Sequence, residues 1–166
     1  MSDLSVTILP ETADDAVAIE RLHERTFGPG RYAKTAYRIR EDVSHDLALS
    51  FTARIGTLLV GSVRLSAIRI GEAPALLLGP VTVEPPFRDR GIGRALIERA
   101  LAEAKRGGHR LVLLVGDEPY YGRIGFKRVP KGRATMPGPV DPERLLVAEL
   151  AEGAFDNVSG PIRAAI

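Results

Sequence analysis

Weak alternation of apolar and polar residues over Ser5 to Leu9 predicts a short first strand, ended by Pro10. The period then changes. From Glu11 to Phe27 the apolar positions Ala16, Val17, Ile19, Leu22 and Phe27 are spaced for one helical face, and Gly28-Pro29-Gly30 stops the helix. Arg31 to Asp42 carries Tyr32, Tyr37 and several basic residues and reads as a short helix or an ordered loop. Leu47 to Arg54 and Thr57 to Ile70 are apolar and β-branched, which predicts two antiparallel strands turning near Ile55-Gly56. A second turn falls at Gly71-Glu72-Ala73-Pro74.

Ala75 to Val83 is an almost unbroken apolar run, the pattern of a strand buried on both faces. Pro80 lies inside it and has no N–H to give to a ladder, so this strand should carry a bulge or a local break in pairing. The clearest helix is Gly93 to Arg106. Ile92, Leu96, Ala100 and Ala104 form one row with Ile97 and Leu101 beside it, and Gly107-Gly108 ends it. Leu111 to Val115 is a second fully buried strand. A short helix follows at Pro119 to Ile124, with Asp117 or Glu118 as its N-cap and Gly125 as its stop, and Phe126 to Val129 and Arg144 to Leu150 complete the strands. The last 16 residues read as a packed or frayed tail. Strands alternating with helices in this order predict one α/β domain with a mixed central sheet flanked by helices.

Length and composition narrow the class. With 166 residues, 45% of them hydrophobic and 27% charged, the chain has the size and balance of one globular domain. No apolar run approaches a membrane span, and Met1-Ser2-Asp3 does not open a secretory signal, so a cytoplasmic protein without a membrane partner is expected. Cys is absent, which excludes disulfides and a cysteine acyl-enzyme. His23, His45 and His109 have no ligand spacing between them, and no metal is expected. Ser44-His45-Asp46 resembles a triad only as text, since sequence neighbours cannot converge as a triad requires.

The net charge of +2 is unevenly spread: Arg88 to Arg133 holds 12 Lys and Arg against 5 Asp and Glu. Such a segment attracts phosphate-bearing ligands. With aromatic residues at 5%, a nucleotide cofactor fits it better than a nucleic acid, and no nucleic-acid partner is expected.

The sharpest local signal lies inside that segment. The buried strand ends at Val81-Thr82-Val83, and Arg88-Asp89-Arg90-Gly91-Ile92-Gly93-Arg94 then opens directly into the amphipathic helix. The first turn of a helix presents unpaired N–H groups and partial positive charge, and glycines let backbone approach an anion closely. Two familiar cradles do not fit. A dinucleotide fold needs a third glycine where Leu96 stands, and the nucleotide P-loop string does not occur.

Arg88-Asp89-Arg90-Gly91-Ile92-Gly93, followed at matching spacing by Tyr121-Gly122-Arg123-Ile124-Gly125-Phe126, resembles the GNAT superfamily of N-acetyltransferases. The resemblance covers Leu76 to Val129, about a third of the chain. It implies a GNAT-like domain over residues 1–166 whose sheet splays between the strands 75–83 and 111–115. It also implies acetyl-CoA as cosubstrate, with the backbone of Val81, Thr82 and Val83 pairing with the pantetheine arm. The amides of Arg88, Asp89, Arg90, Gly91, Ile92, Gly93 and Arg94 would hold the pyrophosphate. Tyr121 would be the catalytic acid that protonates the leaving thiolate. The acceptor, a small-molecule or peptide amine, would meet elements within residues 11–45, with Arg31, Tyr32 and Tyr37 in Gly28 to Arg40 as contacts, and the chain would act as a monomer or homodimer.

One position departs from the family. Members often carry a Glu early in the strand before the loop, where this chain has only the apolar Ala75 to Leu78. The general base is therefore open among Glu84, Glu118, Asp117, His45, His109 and a water relay. The same departure leaves a second reading, a non-catalytic acyl-CoA sensor or interaction module.

Overall fold

The computed structural model describes residues 5–28, 35–42 and 44–165. Its strands are β1 (Thr7–Pro10), β2 (Phe51–Ile55), β3 (Leu58–Ile70), β4 (Ala73–Val83), β5 (Leu111–Val115), β6 (Lys127–Arg128), β7 (Ala134–Thr135), β8 (Leu145–Glu149) and β9 (Gly160–Ala164). The α-helices are α1 (Ala16–Phe27), α2 (Thr35–Glu41), α3 (Ile92–Arg106) and α4 (Glu118–Tyr121). The sheet runs β1-β2-β3-β4-β5-β8-β6, antiparallel except where β4 and β5 lie parallel. This is a mixed α/β sheet.

Why β4 is apolar throughout is now plain. Leu76 and Leu78 face one core with Leu96, Ile97 and Ala100 of α3, while Ala75 and Leu77 face the other with Ile68, Leu113 and Phe155. Both faces of the sheet are covered, and β5 divides the same way, Val112 and Leu114 against Leu111 and Leu113. Each fully buried leucine contributes about 1.5–3 kcal/mol relative to exposure, so these strands anchor the domain. The row Ile92, Leu96, Ala100 and Ala104 is the buried stripe of α3, as its spacing predicts.

Two features of β4 shape the site. Its register with β3 passes from Leu65↔Leu78 to Val63↔Val81, so Gly79-Pro80 carries one more residue than the partner strand. That is the irregularity expected of Pro80, and the Gly79-Pro80 peptide is cis. On its other edge β4 pairs with β5 only at Leu76↔Val112 and Leu77↔Leu113. Past these residues the two strands part, and the sheet splays.

Some local expectations shift. Leu47–Leu49 forms a 3-10 turn rather than strand, because Asp46 caps it by accepting from the Ala48 N–H at 2.9 Å. The first helix opens as a 3-10 turn at Ala13–Asp15 and becomes α-helical only at Ala16. The Gly71 turn is tighter than expected, with Ala73 and Pro74 already paired in β4. The tail is packed: β9 runs antiparallel to the end of β3, Ile68↔Ala164 to Ile70↔Ile162. Among the described residues no helix is long and apolar enough to cross a membrane.

Candidate active site

The strand-to-helix loop has the local geometry of an anion cradle. Gly91 caps α3 in the left-handed region at φ 79°, and Asp89 takes φ 63°, a conformation uncommon outside glycine. No side chain caps α3, so the N–H groups of its first turn face outward from an exposed loop. The surrounding arginines are lightly held. Arg88 Nε donates to the Val83 carbonyl at 3.2 Å, Arg94 pairs with Glu98 on the helix surface, and Arg90 rests over the Phe87 ring. Exposed pairs of this kind are worth about 0–1 kcal/mol, so an anion arriving at the loop would meet little opposition from them.

Gly93 has a different job from Gly91. Its backbone is helical, and a Cβ built there would meet the Tyr120 hydroxyl at 3.4 Å and Val83 Cγ2 at 3.7 Å, ordinary contacts. A side chain at Gly93 therefore does not strain the turn. Only Gly91 has the positive φ of the pair.

The gap between β4 and β5 opens into a cavity of about 620 Å³. Leu78 to Val81 form one wall and Leu114 to Asp117 the other, while Phe27, His23, Tyr37 and Arg40 close it from α1 and α2. Tyr120 and Tyr121 both line it, their rings edge to face at 4.9 Å. Through Tyr120, whose hydroxyl lies near Gly93, the cavity adjoins the cradle. Tyr120 is 44% exposed, and Phe126 fills the core position.

Tyr121 sits deeper. Its ring lies over Gly116 and edge-on to Phe126, and burial, with Tyr120 and Asp117 adding to it, pushes the phenol up to about 12. The group is protonated at neutral pH, as a proton donor must be. Thr82 is buried, with its hydroxyl unpaired among the described residues.

The candidate bases separate by position. Glu84 is bound by Arg25 of α1 through both oxygens, at 3.2 and 2.7 Å, and its N–H bonds the Val60 carbonyl. His45 donates from Nε2 to the buried Glu11 carboxylate at 2.7 Å, away from the lining of the cavity. Glu118 pairs with Arg128 at 3.0 Å. His109 does not line the cavity. Asp117 does line it, 3.4 Å from Arg144, and neither Asp117 nor Glu118 makes a side-chain cap to α4.

His23 and Arg40 are cavity residues that the sequence reading passed over. The spacing of Ile19, Leu22 and His23 on the buried face of α1 was the available sign for the histidine. Tyr37 lines the cavity as expected, and Arg31 and Tyr32 lie outside the described residues. No group of three or more metal-ligating side chains gathers among the described residues.

The model of the acetyltransferase (GNAT) family matches residues 16–126, from the start of α1 through the cradle to Phe126. The chain belongs to the GNAT family. Among curated proteins it is 31% identical over 117 residues to YjhQ, an uncharacterized N-acetyltransferase of Escherichia coli strain K12, a match spanning 68% of this chain and 65% of that protein. The chain thus spans less than two thirds of that relative. Among solved GNAT structures, the E. coli N-acetyltransferase YhbS in complex with CoA is 25% identical, covering 99% of this chain and 92% of that one, with a TM-score of 0.81. A GNAT family acetyltransferase from Brucella melitensis, in complex with acetyl-CoA, is 28% identical over 93% of this chain and 100% of that one, with a TM-score of 0.61.

Proposed function

We propose that this protein binds acetyl-CoA in the cradle of Arg88 to Arg94 and transfers the acetyl group to a primary amine by direct attack in a ternary complex. The observation that carries this reading is the junction of three parts. An uncapped helix end, a sheet edge splayed at Val81 and a half-buried, protonated tyrosine lie side by side: the cavity reaches Val81, Tyr120 and Tyr121, and the Tyr120 hydroxyl stands beside Gly93 at the helix end. The CoA and acetyl-CoA complexes of the two solved relatives support the choice of cosubstrate.

In this reading the first-turn amides and the cradle arginines bind the pyrophosphate. The pantetheine arm runs along the unpaired edge of Val81, Thr82 and Val83 and brings the thioester into the gap. A neutral amine attacks the thioester carbonyl, forming the C–N bond, and the oxyanion is held by a backbone N–H of that edge. Collapse breaks the C–S bond. Tyr121 gives its proton to the departing sulfur, and the surplus proton on nitrogen leaves to a base or to water. His23, Asp117 and Asp141 are the cavity-lining side chains whose chemistry suits this task.

A second reading, a sensor that binds acyl-CoA without turnover, is favoured by the apolar Ala75 to Leu78, all buried, where family members often place Glu. A thiol-release assay with acetyl-CoA and a panel of amines separates the two. Amine-dependent thiol release with a stoichiometric acetylated product is expected. Binding of acetyl-CoA with no release across the panel would establish the sensor.

A further inference from the structure

Charge is unbalanced on the acceptor side of the cavity. Its lining arginines are Arg38, exposed on α2, Arg40, and Arg144, which is paired with Asp117 at 3.4 Å. The other lining carboxylate, Asp141, accepts from the Glu143 N–H at 2.9 Å as a helix cap. Neither serves Arg40. Its guanidinium stands against the bulge of β4, with Nη2 2.5 Å from where a Cβ on Gly79 would be, so glycine at this position makes room for it. Its Nε is sealed from solvent and has no partner among the described residues.

The nearest charged neighbours do not relieve it. Arg64 lies close enough to Arg40 to repel it. Glu11, the buried carboxylate of this region, is fully used: its oxygens accept from Arg64 at 3.1 and 3.1 Å and bond His45 at 2.7 Å. Arg40 has no counter-ion among the described residues, in a lining that brings the apolar Leu78, Val81, Phe27 and Val140 together with Tyr37 and Arg38 of its own helix. A half-buried cation whose Nε is sealed from water without a partner is costly, and a planar guanidinium matches a carboxylate with two parallel hydrogen bonds.

Resting on the acetyl-transfer reading above, we propose that the amine acceptor is a small molecule carrying a carboxylate, and that Arg40 receives that carboxylate at the bulge of β4. The substrate then completes the charge balance that the fold leaves open. Arg40 acts as a specificity determinant outside the Arg88 to Arg94 loop.

The test is a comparison of matched acceptors: free amino acids, their carboxamides, and aminoalkyl phosphates, each assayed with acetyl-CoA on wild type, Arg40→Met and Arg40→Lys. The carboxylates should exceed their carboxamides in kcat/KM by about 10²-fold on wild type, through KM, the size expected when a buried charged group loses its partner. Arg40→Met should erase the difference, and Arg40→Lys should restore part of it. A binding arm does not depend on turnover. In the presence of CoA, N-acetylated amino acids should raise the melting temperature of wild type and leave that of Arg40→Met unmoved. Arg40→Met should itself melt no lower than wild type, since it removes an unpaired, half-buried charge; a large fall would assign Arg40 a structural role and overturn the proposal. Equal rates and equal shifts for carboxylate and carboxamide would also overturn it, as would a preference for the phosphates. If CoA binds but no amine turns over, the transfer reading fails, while the melting shifts still decide whether Arg40 holds a carboxylate.

Discussion

The ring of Tyr121 occupies the space that a side chain on Gly116 would need: a Cβ there would stand 2.8 Å from Cδ2 and closer still to Cε2. The end of β5 therefore fixes the position of the phenol. Gly116→Ala should push the ring out of place and lower kcat about tenfold or more while leaving CoA affinity within about threefold, because positioning errors of about 1 Å cost rate rather than cofactor binding. Steady-state kinetics beside calorimetry with CoA checks it. Unchanged kcat would free Tyr121 from the chemistry.

Removing the hydroxyls separates the two tyrosines. Tyr121→Phe keeps the ring on Gly116 and should lower kcat and kcat/KM together, by about 10- to 10³-fold, the pattern of an interaction made in the transition state. Tyr120→Phe should act differently, because its hydroxyl neighbours Gly93 at the start of α3. A rise in KM for acetyl-CoA of a few-fold with little change in kcat is expected. Equal loss of kcat in both variants would point to disturbance of α4 as a whole.

The pH profile follows from the same burial. A phenol raised to about 12 keeps its proton through the neutral and mildly alkaline range, so the acid form is lost only as pH climbs toward that value. kcat/KM should rise with pH as the amine and its base lose protons, and should show no falling limb below about pH 10. A bell with its alkaline limb between pH 7 and 9 would assign the proton donor to another group.

Glu11 sets an acid limit on stability. Burial alone would raise its pKa, but the hydrogen bonds from His45 and Arg64 and their charges outweigh it and hold the carboxylate below its ordinary 4.5. A lowered folded pKa means stability that is present above about pH 4.5 and lost as pH falls below it. Glu11→Gln should cost about 3–5 kcal/mol by leaving Arg64 buried without its partner. The loss should shrink toward zero in acid. Thermal melts of both proteins from pH 7 to pH 3 test this, and a pH-independent difference would contradict it.

The parts of the fold that were legible are those where one residue type has one physical reading. The unbroken apolar run of β4 could only be a strand buried on both faces, Pro80 could only interrupt its ladder, and Gly91 before an amphipathic stripe could only open a helix. Leu47 misled because its apolar neighbours look like strand until Asp46 is seen capping them. The two tyrosines of α4 were not separable in the sequence, because helical angle alone does not say which ring the sheet has room for, and Gly116 makes that room for Tyr121. Arg40 was illegible. Its meaning lies in partners it lacks, and the commitment of Glu11 to Arg64 and His45 joins residues that are far apart in the chain.

The most direct measurement is a calorimetric titration of acetyl-CoA into wild type and Gly93→Val. Gly93 is helical, and a Cβ there meets only ordinary contacts, so the variant should fold with a melting temperature close to that of wild type. The two methyls of valine extend beyond that Cβ at the first turn of α3, the proposed site of the pyrophosphate. Wild type should bind with one site per chain, and Gly93→Val should bind at least tenfold more weakly. Equal affinity in the two folded proteins would contradict the cradle and, with it, the placement of acetyl-CoA on this chain.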